Sequence, residues 1–228
     1  PEPLFSGTLK ESNRWRLAYG DRVVREEIRS LEKIIELDKL ELLLDRLPAA
    51  VGSPLSLNSF REDLGVSHDS MRKWVHVFDN LYLTFRISPY GTAKIKAVKK
   101  EQKLYFWDWA LVEQESFRAE NIFALHLLRL VHWAEDVEGI KLDLRYYRST
   151  LSHEVDFLIL KKGKPWIAIE VKSSEGYLHP GVKYLLEREK IPFAFQLHLH
   201  GANDWLGSKI NGTVVRFMPI YKFLAQLP

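Results

Sequence analysis

The 228 residues are 46% hydrophobic and carry a formal net charge of +3, which is enough apolar material for one large or two small cores but too little charge to indicate a nucleic-acid partner by itself. Cysteine is absent, so disulfides, thiol nucleophiles and thiolate metal sites are excluded, and any metal must be held by carboxylates or histidines. No apolar run reaches the roughly 20 residues of a membrane span and no secretion signal opens the sequence, so we expect no membrane partner and a cytoplasmic location.

Residues 1–50 are predicted to be helical. Apolar positions recur at helical spacing from Asp21 onward, and the run stops at Pro48. We interpret this segment as helices that pack on a neighbouring domain. The chain starts with Pro-Glu-Pro and has no initiator methionine, so we expect it to be part of a longer protein.

Residues 51–100 have the pattern of a winged helix-turn-helix domain. A first helix with one apolar face ends at Gly65, whose backbone freedom suits a sharp turn, and Ser67 is placed to cap a second helix. The inward positions of that second helix are Met71, Trp74, Val75 and Phe78. A strand over residues 81–87, a turn at 89–91 and a second strand over 93–100 would complete the wing.

Basic side chains on this domain form a predicted nucleic-acid surface. They are Arg72 and Lys73 on the second helix, with Lys94, Lys96, Lys99 and Lys100 on the wing. Asp69 and Asp79 weaken the positive field of the helix. Two alternatives stay open: the domain is a protein–protein spacer, or the wing lysines only prevent edge pairing.

Residues 101–228 alternate strand and helix signals, which predicts an α/β domain with a mixed sheet flanked by helices. A β-hairpin over residues 153–174 carries acidic residues at its open end. A three-residue loop centred on Gly163 would place Leu160 opposite Trp166, Asp156 opposite Glu170, and Glu154 opposite Lys172. The hairpin is otherwise apolar, so we expect a helix to cover it up to the charged end.

The charged end suggests a site for a divalent cation. Two opposed carboxylates repel each other, and a hard cation such as Mg²⁺ reverses that effect because it takes one or two carboxylates completed by water and phosphate oxygens. Lys172 would neutralise the acids or hold a phosphate. Glu120 falls on the apolar stripe of its helix and should point inward to join them. The alternative is a solvated sheet end where Glu154 pairs with Lys172.

These residues match a known pattern. Asp156 followed by Ile-Glu-Val-Lys at 169–172 resembles the signature of the PD-(D/E)XK nuclease-like superfamily, although Val155 stands where the name has proline. With "RAEN" at 118–121, "YYRS" at 146–149 and "MPIYKFLAQLP" at the end, nearly the whole chain resembles the C-terminal domain of unknown function of prokaryotic AAA-type ATPases. The resemblance implies a winged helix and a restriction-endonuclease-like domain following a P-loop ATPase module.

The resemblance also implies roles for individual residues. Asp156 and Glu170 would bind Mg²⁺, Lys172 would be the catalytic lysine, and Glu120 the helix-borne acid. The chain has no G-x-x-x-x-G-K-[ST] motif, so ATP would be bound only through the N-terminal module.

Three functions follow as hypotheses. We expect a DNA-associated module of an AAA-type ATPase that binds nucleic acid or a partner. The alternative is an active Mg²⁺-dependent endonuclease. A third reading is an adaptor for ATPase assembly, with the chain's own ATPase module and further copies of itself as partners.

Overall fold

A computed structural model describes residues 7–22, 36–91 and 102–228. The described residues group into two compact units, those within Pro1–Arg86 and Lys100–Asn121 and those within Ile87–Lys99 and Ile122–Pro228. The predicted domain ranges of 1–50, 51–100 and 101–228 stay a prediction. Among the described residues no helix has the length and apolarity that a membrane span needs.

The first unit is mainly helical. Its helices are α1 (Leu9–Arg22), α2 (Leu37–Arg46), α3 (Leu57–Leu64) and α4 (His68–Asn80), with a 3-10 turn at Leu47–Ala50 and another at Trp109–Leu111. A short strand, β2 (Lys103–Phe106), is fully buried in this unit. Helix α5 (Glu115–Asp136) contributes its first seven residues here and the remainder to the second unit.

The local geometry of α3 and α4 follows the sequence prediction. Gly65 ends α3 with φ of +61°, a left-handed conformation that glycine adopts without strain. Ser67 caps α4 by accepting a hydrogen bond from the Ser70 amide at 3.0 Å. The four predicted inward side chains of α4 are buried, and His68, Asp69, Arg72, Lys73 and His76 are exposed.

The strand after α4 is displaced from its predicted position. Strand β1 runs over Thr84–Tyr90, three residues later than the predicted 81–87. Pro89 lies inside it, opposite Tyr146 of a neighbouring parallel strand, so the predicted turn at residues 89–91 is wrong for Pro89. The second wing strand, predicted over 93–100, lies outside the described residues.

An eight-stranded mixed sheet confirms the predicted α/β class. Its strand order is β2-β1-β3-β4-β5-β6-β8-β7. The further strands are β3 (Leu142–Arg148), β4 (Glu154–Lys161), β5 (Lys164–Ser174), β6 (Phe193–His200), β7 (Trp205–Ile210) and β8 (Thr213–Pro219). The β1/β3, β5/β6 and β6/β8 pairs are parallel, whereas β3/β4, β4/β5 and β7/β8 are antiparallel.

Helices cover both faces of the second unit's strands. Helix α6 (Pro180–Arg188) packs on one face, where its apolar side chains join a buried cluster that includes Leu158, Leu160 and Ala168. On the other face Phe123 of α5 contacts Phe157, with ring centroids 5.5 Å apart, and also the ring of Phe223 in α7 (Ile220–Leu224). The predicted helical cover of the hairpin is therefore present.

The hairpin turn is tighter than predicted. Lys161 pairs with Lys164 across a two-residue loop in which Lys162 and Gly163 have φ of 53° and 73°, the positive values that suit a two-residue hairpin turn. The register shifts between Ile159 and Leu160, so Leu160 opposes Pro165, and the predicted pairing with Trp166 is wrong.

Beyond this register shift, toward the open end of the hairpin, the predicted pairing of β4 with β5 is confirmed. Phe157 opposes Ile169 and Leu158 opposes Ala168, in the register that continues toward Asp156 and Glu170.

Candidate functional site

Asp156, Glu170, Lys172 and His179 form a cluster that we call the hairpin-end site. It lies where β4 and β5 stop pairing through their backbones. The last pair in the ladder is Phe157 with Ile169. Beyond this pair, backbone amides donate to side-chain carboxylates. The Asp156 amide donates to Glu170 Oε2 at 3.2 Å, and the Val171 amide donates to Asp156 Oδ2 at 3.0 Å. Two carboxylates are thus held side by side by the strands that carry them.

Glu170 is the buried member of the site, with a side chain only 2% exposed. Its Oε1 lies 2.5 Å from Lys172 Nζ and 3.1 Å from His179 Nδ1. Burial, and then the negative charge of Asp156, raise the pKa of Glu170 to about 8, and Lys172 only partly opposes them. Glu170 therefore holds a proton at neutral pH until another positive charge enters the site.

His179 belongs to the site although the sequence reasoning missed it. It directly precedes α6, and its amide donates to Oε1 of Gln196 at 2.8 Å. Nδ1 is buried close to Glu170 but is not aligned for a hydrogen bond with any described residue. Burial and the nearby Lys172 lower the pKa of His179, which favours a neutral imidazole.

The available signal for His179 was the His-Pro pair at 179–180, which begins a helix. Proximity to Glu170 also requires α6 to lie close against β4. Gly181 allows this, since a Cβ there would lie 1.9 Å from the carbonyl oxygen of Glu154.

Glu154 and Glu120 were predicted to lie at this end of the sheet. Glu154 lies beside Arg148 on β3, with 4.0 Å between Oε2 and Nε. Glu120 belongs to the first unit, where Tyr105 donates a 2.8 Å hydrogen bond to its Oε1 and Lys103 Nζ lies 3.6 Å from the same atom. A role for Glu120 beside the hairpin acids stays a prediction.

The predicted nucleic-acid residues are described only in part. Arg72 and Lys73 lie on the exposed face of α4, and Arg72 is paired with Asp69 at 3.2 Å. Asp79 is occupied by Thr84 at 2.7 Å and by Arg86 at 2.8 Å, both through hydrogen bonds. The predicted wing lysines, Lys94, Lys96, Lys99 and Lys100, lie outside the described residues.

The chemistry of the hairpin-end site suits a hard divalent cation. Asp156 and Glu170 supply carboxylate oxygens, and Mg²⁺ characteristically uses one or two such ligands and fills its remaining positions with water and phosphate. Within residues 7–22, 36–91 and 102–228 no group of three or more histidine or acidic side chains is arranged around a common metal position. A cation here would thus depend on water or substrate oxygens for most of its ligands.

Two family models match the chain. One is "Domain of unknown function (DUF8612)", which matches residues 1–118, and the other is "Domain of unknown function (DUF4143)", which matches residues 117–222. The hairpin-end site lies entirely within the second match. Searches of curated proteins and of solved structures found no match.

Proposed function

This chain belongs to the DUF8612 family, whose model covers residues 1–118, and from the hairpin geometry we propose that it is a nucleic-acid-associated module of an AAA-type ATPase. The module would bind a divalent cation and phosphate at Asp156, Glu170 and Lys172. The resemblance to the C-terminal region of such ATPases and the DUF4143 match support the association. ATP would be bound by the N-terminal module of the longer protein.

A single observation carries the proposal: Glu170 is buried between another carboxylate, Asp156, and a lysine, at the point where the hairpin ladder opens. If the contact with Lys172 served only as a stabilising ion pair, one acid beside this lysine would be enough. Placing a second acid beside a buried one costs free energy, which a divalent cation would recover. Lys172 is partly exposed and can direct an N–H toward a phosphate oxygen as the cation neutralises the acids.

DNA binding with and without a cation tests this function. Fluorescence anisotropy of a labelled duplex would be measured in Ca²⁺ and in EDTA, for the wild type and for Asp156→Asn. We expect Ca²⁺ to tighten wild-type binding about tenfold or more and to leave Asp156→Asn unchanged. Asp143→Asn is the matched control, because Asp143 is an acid of the same unit on β3 and lies 3.8 Å from Arg145. Equal binding in Ca²⁺ and EDTA would reject the proposal.

Hydrolysis of the bound phosphodiester is the second candidate function. It is favoured by the position of Lys172, whose Nζ contacts Glu170 from two residues along the same strand. The cation would activate a water and stabilise charge on the scissile phosphate, and Lys172 would orient that water or phosphate.

Nicking of supercoiled DNA in Mg²⁺ or Mn²⁺ tests this candidate. We expect cleavage by the wild type, by the control Lys164→Ala at the opposite end of β5, and none by Lys172→Ala. Equal cleavage by the wild type and Lys172→Ala would show that the activity lies elsewhere.

A further inference from the structure

The loop that joins β5 to α6, residues 175–179, borders the hairpin-end site and is fixed at several points. At its start, both carboxylate oxygens of Glu175 accept hydrogen bonds from Asn203, from the amide at 3.0 Å and from Nδ2 at 2.7 Å. At its end lies His179, within 3.1 Å of Glu170. The loop is therefore held at both ends by side chains.

A buried glutamine also holds the middle of the loop. Gln196 lies beside Glu170 on the neighbouring parallel strand, and its side chain is 3% exposed. Its Nε2 donates to the Tyr177 carbonyl at 2.9 Å, and its Oε1 accepts the His179 amide at 2.8 Å. One side chain thus ties the backbone of Tyr177 to the strand next to the acids, about 4.8 Å from β5.

The side chain of Tyr177 is exposed, whereas its backbone is held by Gln196. Tyr177 is 99% exposed, more than any other large hydrophobic or aromatic residue of the described chain. Single exposed apolar residues are common on protein surfaces, but Tyr177 extends from a backbone that Gln196 fixes beside the strand carrying the buried Glu170. A large planar ring on a fixed backbone loses little conformational entropy when it binds a ligand.

We propose that Tyr177 is a base-stacking residue for single-stranded nucleic acid, whose neighbouring phosphate is held at the hairpin-end site. This inference rests on the proposed function and adds a substrate class: a strand with at least one unstacked base beside that phosphate. Every nucleobase has a π-face, so stacking on a tyrosine is tolerant of sequence. In an intact duplex the bases are stacked on each other and are not free for the ring.

Binding of one sequence as a single strand and as a blunt duplex tests the inference. Anisotropy would be measured in Ca²⁺, which limits hydrolysis, for the wild type, Tyr177→Ala and Tyr177→Phe. Stacking is worth about 1–3 kcal/mol per base, so Tyr177→Ala should weaken single-strand binding roughly 5- to 150-fold while Tyr177→Phe keeps it. Tyr221→Ala is the matched control, since Tyr221 is 56% exposed on α7. A circular dichroism melt checks that each variant is folded.

The outcomes separate this inference from the proposed function. Loss of single-strand binding in Tyr177→Ala alone, with duplex binding kept, supports base stacking. Wild-type binding by Tyr177→Ala, with the Ca²⁺-dependent tightening lost in Asp156→Asn, overturns the stacking role and leaves the cation site intact. Equal weakening of single-strand and duplex binding by Tyr177→Ala also overturns it, because a base contact requires an unstacked base. A wild type that binds neither ligand overturns both proposals.

Discussion

His179 Nδ1 lies 3.1 Å from Glu170 Oε1, which joins the start of α6 to the most buried acid of the hairpin. The two residues are nine positions apart in sequence: Glu170 lies on strand β5, and His179 directly precedes helix α6. It also places a group whose pKa is lowered beside a group whose pKa is raised. Both shifts keep the pair uncharged at neutral pH, and both have burial as their largest cause.

Stability should fall as the pH rises from 6.5 to 8. Glu170 titrates near 4.5 when unfolded and near 8 when folded, so in this range the folded state binds more protons and each pH increment favours unfolding. His179 has the opposite effect, and this effect fades as the pH rises above its unfolded pKa of 6.5. Urea unfolding in EDTA at several pH values would measure the slope.

The variant Glu170→Gln should flatten this slope, because it removes the titrating group. Glu187→Gln, on the exposed side of α6, is the control and should keep the wild-type slope. A slope that is identical in Glu170→Gln and the wild type would mean that Glu170 is not the group responsible.

Gly181→Ala should destabilise the second unit. A Cβ at Gly181 would lie 1.9 Å from the Glu154 carbonyl oxygen, so α6 has to move away from β4. Such overpacking typically costs about 1–3 kcal/mol in free energy of unfolding. Gly176→Ala is the control, because a Cβ there meets no atom within 4 Å. Equal thermal midpoints for the two variants would contradict the close approach of α6.

Gln196→Ala should loosen the loop at 175–179. The change leaves the Tyr177 carbonyl and the His179 amide without their partner, at a cost of about 1–3 kcal/mol if they stay buried. Amide hydrogen exchange of His179 should accelerate at least tenfold. Gln226→Ala, which removes an exposed hydrogen bond to the Lys222 carbonyl, should leave that rate unchanged. Unaltered His179 exchange in Gln196→Ala would show that the loop is held by other contacts.

The exposed face of α4 can be tested through salt dependence. If α4 contacts DNA phosphates, Lys73→Ala should reduce the slope of log affinity against log salt by about 1. Arg72→Ala should have a smaller effect, because Asp69 already pairs with that guanidinium. Asp69→Ala should tighten binding by freeing Arg72. Unchanged slopes in all three variants would favour an adaptor role for α3 and α4.

The features that were predicted best from the sequence depend on the alternation of side chains along strands and on the residues that end and cap helices. The apolar alternation of β4 and β5 gave the pairing of Leu158 with Ala168, and Gly65 and Ser67 predicted the turn before α4. The two-residue turn was missed because "KKGK" does not indicate that Lys162 adopts a positive φ.

The missed site residues depend on packing between distant segments. His179 reaches Glu170 only because Gly181 lets α6 approach β4, and Gln196 reaches the loop only because β6 lies parallel to β5. Neither contact has a periodic pattern in sequence. The displaced β1 likewise reflects its parallel pairing with β3, more than 50 residues away in the chain.

Anomalous diffraction from crystals soaked in Mn²⁺ tests the central claim most directly. Mn²⁺ accepts the same oxygen ligands as Mg²⁺ and scatters anomalously. The account predicts a peak bound by the carboxylates of Asp156 and Glu170, with Lys172 displaced from its 2.5 Å contact, and no such peak in Asp156→Asn. Soaked wild-type crystals that retain the Lys172–Glu170 contact and show no peak between the two acids would contradict it.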